Sequence, residues 1–159
     1  MLIIAEEFAD WDDAKRRIDL LGVDDKGNLV VIELKRDADD MAGRKEALEF
    51  QAIRYAANYA LITTPQDLVQ KLFAPYIEKH QSEFTLQGLT PSELAMRLLT
   101  EFLKANGAEA SFNRYQRIIL IASSFDPQTL SACAWLAKNG IDIRCLQMTP
   151  LRYQQQHFF

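Results

Sequence analysis

Two acidic side chains and a lysine lie on two short apolar segments that a turn connects. Asp19 is in the first segment, and Glu33 and Lys35 are two residues apart in the second. If the turn centres on Lys26, counting outward puts Asp19 opposite Glu33, and the period of two in a strand puts Lys35 on the same face. Like charges at such directly opposed positions destabilise a strand pair. A divalent cation bound at these acids is the more specific explanation for this arrangement. The alternative is a structural ion pair at a sheet end.

A predicted β-hairpin positions these three residues. Its strands cover residues 17–23 and Leu29–Lys35, both rich in apolar and β-branched residues, and the turn over 24–28 contains the signal Asp-Lys-Gly-Asn. Apolar residues occupy both faces of the hairpin. We therefore expect it to be covered on both sides within an α/β sandwich.

The remaining chain alternates between predicted helices and strands. Thr90, Pro91 and Glu93 give the cap, first-position proline and capping-box acid of one helix, which Gly107 ends. Near the C-terminal end, a strand, a helix and a strand imply a right-handed crossover and a parallel pair. The other predicted elements are a strand over 2–9, a polar loop over 36–44, helices over 45–61 and 66–80, strands over 117–123 and 141–148, and between them a helix over 126–140.

These elements compose one α/β domain over residues 1–159. An antiparallel meander precedes the helices, and the parallel unit completes a mixed central sheet that helices flank. The apolar ends of the chain suggest further contacts, either with a missing segment or with a second copy in a homodimer.

Three stretches resemble the PD-(D/E)XK nuclease superfamily, which has the restriction-endonuclease-like fold. The hairpin strands read Ile18-Asp19-Leu20-Leu21 and Val31-Ile32-Glu33-Leu34-Lys35-Arg36. The next predicted helix contains Gln51-Ala52-Ile53-Arg54-Tyr55, which is similar to the Q-x-x-x-Y element that RecB-like members carry after the Glu-x-Lys strand. Residues four apart lie on one helix face. The resemblance covers most of the chain, because the first strand and the last strand-helix-strand unit also look like this family's core.

The resemblance implies a nuclease that hydrolyses phosphodiester bonds with Mg²⁺ or Mn²⁺. Asp19, Glu33 and the carbonyl of Leu34 would hold the metal, which orients the phosphate and lowers the pKa of bound water. Lys35 would position or deprotonate that water, or stabilise charge developing on the phosphate. Gln51 would hold the site together or contact nucleic acid near the scissile phosphate. Tyr55 would support Gln51, and plain helix positions are the alternative for this pair.

Many members of this superfamily carry a further acid on a helix before the first strand. No residues precede Met1 to form that helix, so we expect either a fragment that lacks it or a replacement acid, Glu7 or Glu6. Alternation puts one of the two toward the site, and we favour Glu7. A solvated charge at the strand end is the alternative for Glu7. Candidates for contacts with backbone phosphates are Arg36, Arg44, Lys45 and Arg54.

Composition limits the classes of protein that remain. No apolar run approaches the roughly 20 residues of a membrane span, and no secretion signal is present, so a cytoplasmic protein is expected.

The net charge of −4 argues mildly against a large nucleic-acid surface. The first 60 residues hold 14 acidic and 9 basic side chains, so the acidic excess lies with the proposed site. Cys133 and Cys145 lack zinc-site spacing and are expected to be buried structural thiols.

Three functions are compatible with this pattern. The first is a Mg²⁺- or Mn²⁺-dependent nuclease that acts on nucleic acid, DNA in particular, as an endonuclease in repair or restriction. The second is a catalytically silent module of the same fold that binds nucleic acid or a protein, and the third is a structural domain of a larger protein. The presence of all four candidate catalytic residues favours the first: Asp19, Glu33, Lys35 and Gln51.

Overall fold

A computed structural model describes residues 1–10, 13–35, 47–149, 151–153 and 156–158, with side chains described for residues 1–6, 18–35 and 47–149. The architecture is α/β, with a five-stranded mixed sheet in the order β1-β2-β3-β4-β5. The first two strand pairs are antiparallel and the fourth is parallel, as predicted, and the third pair is parallel as well. The strands are β1 (Leu2–Asp10), β2 (Asp13–Val23), β3 (Leu29–Lys35), β4 (Gln116–Ala122) and β5 (Asp142–Gln147).

Five α-helices lie in the described part of the chain, four between β3 and β4 and one between β4 and β5. They are α1 (Leu48–Tyr59), α2 (Pro65–Leu68), α3 (Ala74–Lys79), α4 (Pro91–Ala105) and α5 (Pro127–Lys138). A π-helical segment, Val69–Phe73, joins α2 to α3, whose second residue is Pro75. Proline cannot donate the i→i−4 hydrogen bond, which favours an irregular turn there. None of the described helices is long and apolar enough to cross a bilayer.

The turn between β2 and β3 has the predicted register. Asp24 Oδ1 accepts hydrogen bonds from the N–H groups of Lys26 and Asn28, both at 2.9 Å. This side-chain turn brings Val23 opposite Leu29, and the antiparallel pairing continues from there. Because Asp24 is buried, its carboxylate replaces the water that the turn amides would otherwise need.

The predicted helix caps of α4 and α5 are confirmed. Thr90 Oγ1 accepts from the Glu93 N–H at 3.3 Å, and Glu93 Oε2 accepts from the Thr90 N–H at 2.8 Å. The hydrogen bond from the Thr90 backbone lowers the pKa of Glu93. At the start of α5, Asp126 Oδ1 accepts from the N–H groups of Gln128 and Thr129 at 2.9 Å. Both helices therefore begin where the cap residues predict.

Both faces of β3 are buried, as the apolar hairpin predicts. Leu29 and Val31 of β3 belong to a large core that includes residues of all five described helices. On the opposite face, Val30, Ile32 and Ile119 form a smaller buried cluster of strand residues. The helical face therefore holds most of the described core.

Two parts of the structure differ from the predicted elements. β2 begins at Asp13 rather than near residue 17, and this extension pairs with β1. A second, two-stranded sheet was not predicted, and it consists of β6 (Leu151–Tyr153) and β7 (Gln156–Phe158). The polar composition of the β2 extension favours a loop, and strand pairing with β1 overrides that local preference.

Candidate functional site

The ladder between β2 and β3 ends beside the candidate acids. Its described pairs end at Leu20 and Ile32, whereas β2 stays paired with β1 beyond that point. Continuing the same register by one residue puts Asp19 opposite Glu33, as counting from the turn predicts. The acid pair therefore stands at the first position after the ladder, where β3 no longer pairs with β2 although it remains paired with β4.

The Asp19 carboxylate replaces a strand hydrogen bond at this position. Its Oδ2 accepts from the Leu34 N–H at 2.7 Å. A hydrogen bond to a charged acceptor is roughly twice as strong as a neutral one, so this contact ties the two strands together. The N–H and C=O of a strand residue point toward the same neighbouring strand. The Leu34 carbonyl, which the resemblance assigns to the metal, therefore lies on the same side of β3 as Asp19.

Glu33 is a buried acid, with 1% of its surface exposed. It shares a face of β3 with Leu29 and Val31, both of which lie in the large core. Burying an ionised carboxylate is costly unless opposite charge or hydrogen bonds stabilise it. Lys35, half-buried and two residues farther along the same face, is at the end of β3 where the core opens. The three predicted residues thus lie where the β2–β3 ladder ends, with Asp19 inside β2 and with Glu33 and Lys35 near the C-terminal end of β3.

The two residues of the Q-x-x-x-Y element contact each other on α1. Gln51 Nε2 donates to Tyr55 Oη at 3.4 Å. Tyr55 is buried in the core, whereas Gln51 is half-buried in the first turns of the helix. The Arg54 guanidinium carbon lies 5.8 Å from the centroid of the Tyr55 ring, within cation–π range. The predicted common face for Gln51 and Tyr55 is therefore confirmed.

Several predicted site residues lie outside the part of the chain whose side chains are described. In β1 the register pairs Glu6 with Leu20, so backbone position 7 falls beside Asp19. The Glu7 side chain itself is outside the described residues. The same is true of the candidate phosphate contacts Arg36, Arg44 and Lys45.

The described donors at the site suit a hard divalent cation. Asp19, Glu33 and the Leu34 carbonyl offer only oxygen atoms, which Mg²⁺ and Mn²⁺ prefer. Across the described side chains, no cluster of three or more His, Cys, Asp or Glu residues could hold a metal ion. Mg²⁺ commonly uses one or two carboxylates, because waters and substrate phosphate complete its coordination. The arrangement therefore fits a metal that binds together with substrate better than one held in a protein cage.

Sequence reasoning missed a further buried acid, Glu49, in the first turn of α1. Glu49 is 5% exposed, and its Oε2 accepts from the Thr129 hydroxyl of α5 at 3.3 Å. The same hydroxyl lies 2.8 Å from Asp126 Oδ2, so the two carboxylates share its single proton. The helix dipole favours an acid near a helix N-terminus whether that acid is exposed or buried. The position of Glu49 in the sequence therefore does not indicate its burial. The packing of α5 against α1 is what buries Glu49.

Cys133 of α5 should be an unreactive thiol. Burial, together with a hydrogen bond to Cys145, raises the pKa of Cys133 to about 12. The thiolate is the reactive form, and at pH 8 only about one Cys133 in 10⁴ would be ionised. We expect DTNB at pH 8 to modify no more than one thiol per folded chain and the second only in denaturant. Rapid modification of both thiols in the folded protein would contradict this prediction.

Comparison with known proteins adds nothing to the arrangement described above. No protein-family model, no curated protein and no solved structure matches this chain. What bears on function is therefore the chemistry of the residues themselves, above all the contact between Asp19 and Leu34.

Proposed function

We propose that this chain is a metal-dependent phosphodiesterase of the PD-(D/E)XK nuclease type that cleaves nucleic acid, DNA in particular. The observation that carries the proposal is the 2.7 Å hydrogen bond from the Leu34 N–H to Asp19 Oδ2. This hydrogen bond holds the Asp19 carboxylate against Leu34, the residue between Glu33 and Lys35 in β3. A carboxylate, a strand carbonyl and the Glu-x-Lys pair are thereby brought to the same end of the hairpin.

Each residue of the site has its own role in the proposed reaction. Bound Mg²⁺ or Mn²⁺ supplies Lewis-acid stabilisation of the phosphate and a more acidic water. Asp19, Glu33 and the Leu34 carbonyl would hold that cation. Lys35 would orient the attacking water or stabilise charge on the phosphate. Gln51, oriented by its hydrogen bond within α1, would contact the substrate beside the scissile phosphate.

The position of these residues in the sheet supports the proposal. Lys35, at the end of β3, pairs with Ala122 at the end of β4, and Ala122 pairs with Gln147 at the end of β5. Ligands of open α/β sheets bind beyond the carboxyl ends of parallel strands. We further propose that the five strands form a restriction-endonuclease-like core, and that the protein acts on nucleic acid in the cytoplasm.

Metal binding should stabilise the folded protein. We expect millimolar Mg²⁺ or Mn²⁺ to raise the Tm above its value in EDTA, because a ligand that binds only the folded state adds RT ln(1 + [L]/Kd), about 2.7 kcal/mol at 100 Kd. Thermal unfolding with and without metal measures this. Asp19→Asn should abolish the shift, whereas Glu101→Gln, an exposed acid on α4, should retain it. No shift with either metal, together with no cleavage of single-stranded, nicked or branched DNA, would reject the proposed function.

A further inference from the structure

A groove with two exposed aromatic walls runs between α1 and α5. Its volume is about 630 Å³. Phe50 of α1 and Trp135 of α5 both line it, and they are 60% and 64% exposed. Single exposed apolar residues are ordinary on a protein surface, but two large rings in one groove indicate a binding site. Both rings belong to helices that pack on the sheet, so the groove has rigid walls.

The size of the groove fits a small planar ligand better than a folded partner. Nine described residues line it, whereas a stable protein interface takes roughly 20–30 residues from each side. Pockets for small ligands have volumes of about 300–1,000 Å³, and this groove falls within that range. A second copy of the chain or another protein would therefore need much more surface than the groove offers.

The charge of the groove favours an uncharged ring over a phosphate. Glu49 is the ionisable side chain among its described lining residues, and it is almost fully buried. A carboxylate in an apolar wall repels phosphate but accepts hydrogen bonds from N–H groups. Gln128 and Ser131, both exposed, add polar groups at the rim. A nucleobase combines these properties, because it is planar, uncharged and carries N–H donors on its edge.

The groove is adjacent in sequence to the candidate site. Phe50 directly precedes Gln51, so the first turns of α1 carry both the groove wall and the residue proposed to contact substrate. We propose that the groove binds an unpaired base of a single-stranded nucleic acid, stacked against Phe50 and Trp135. This inference rests on the proposed function and narrows its substrate to single strands or unpaired ends, because a base within an intact duplex cannot reach the groove.

Binding without cleavage tests the groove directly. In EDTA, full-length protein is titrated into labelled single strands of about 12 nucleotides, a typical site size, with abasic strands and duplexes of the same length as controls. Phe50→Ala and Trp135→Ala should each weaken binding of the intact single strand by about 5- to 100-fold, the loss expected for one stacked base. Leu130→Ala, an exposed residue of α5 outside the described lining, should keep wild-type affinity. DNA and RNA strands are measured in parallel, because both present the same bases.

Two further measurements separate stacking from a change in fold. Phe50→Leu and Trp135→Leu keep apolar volume without a ring, and they should lose affinity almost as much as the alanine variants. The chain has two tryptophans, Trp11 and Trp135, so in a Trp11→Phe variant the tryptophan fluorescence comes from Trp135 alone. Intact single strands should quench this fluorescence, and abasic strands should not.

The outcomes distinguish this inference from the proposed function. Equal binding of intact and abasic strands, or wild-type affinity in both ring variants, would overturn the base site. If wild-type protein still cleaved nucleic acid with Mg²⁺ in that case, the nuclease proposal would stand alone. Base-dependent binding that the ring variants weaken, without any metal-dependent cleavage, would support the groove and reject the nuclease.

Discussion

Asp19→Asn should reduce metal-dependent cleavage by at least about 10²- to 10³-fold, the loss typical when one electrostatic group is removed from an active site. The folded state should change little, because the asparagine carbonyl can accept the Leu34 N–H that Asp19 Oδ2 now accepts at 2.7 Å. What the variant loses is the negative charge that would hold the cation. Initial rates of cleavage at saturating Mg²⁺, together with the Tm in EDTA, measure both properties.

A second substitution at the same residue separates charge from structure. Asp19→Ala also removes the acceptor for the Leu34 N–H, so it should lower the free energy of unfolding by about 1–3 kcal/mol in addition to abolishing cleavage. Glu101→Gln removes an exposed acid on α4 and should leave both properties unchanged. Cleavage that survives in Asp19→Asn would exclude Asp19 as a metal ligand.

The other members of the site are tested in the same assay. Glu33→Gln keeps the shape of the buried side chain, and Lys35→Ala removes the amine at the end of β3. Each should lose cleavage to a similar extent, because the proposed mechanism uses both groups at the scissile phosphate. Retained cleavage in both variants would show that this hairpin is not the catalytic site, even if the protein is a nuclease.

The hairpin could be predicted from sequence because its signals are local. The turn residues from Asp24 to Asn28 determine where β2 and β3 begin to pair, and the period of two then assigns Asp19, Glu33 and Lys35 to one face. The same reasoning at helical spacing placed Gln51 and Tyr55 together on α1. In each case the partners are close in the chain or joined by a short turn.

The end of the β2–β3 ladder could not be predicted in this way. Past that end β2 stays paired with β1, back to Asp13, through a polar stretch whose composition favours a loop. Glu49 illustrates the same limit, because the hydroxyl that contacts it belongs to Thr129, 80 residues away. Burial of a polar side chain follows from which distant element covers it, and a local pattern does not contain that information.

Asn113 is a second buried polar residue that the sequence did not reveal, and it connects three elements that position the site. Its Nδ2 donates to the carbonyls of Tyr59, the last residue of α1, and Ile62, at 2.8 and 2.7 Å. Its backbone N–H donates to the Gly27 carbonyl in the hairpin turn at 2.8 Å. Its φ of +47° is one that asparagine tolerates better than most residues. α1, the hairpin and the approach to β4 therefore meet at this side chain.

Asn113→Ala should lower the free energy of unfolding by at least about 3 kcal/mol. Two carbonyls would lose a buried donor, at about 1–3 kcal/mol for each unsatisfied group, and alanine would be strained at positive φ. Urea unfolding of the wild type and the variant, fitted with one m-value, gives the difference between their free energies of unfolding. Asn113→Gly removes the same donor without that strain, so the gap between the two variants measures the backbone contribution.

A matched control exists at the end of α4. Asn106 makes the same kind of bond, from Nδ2 to the Phe102 carbonyl at 2.8 Å, but it is exposed to solvent. Asn106→Ala should therefore cost less than about 1 kcal/mol, because water can replace the lost donor. If Asn113→Ala were no more destabilising than Asn106→Ala, the amide of Asn113 would not be what holds the end of α1 against the hairpin turn.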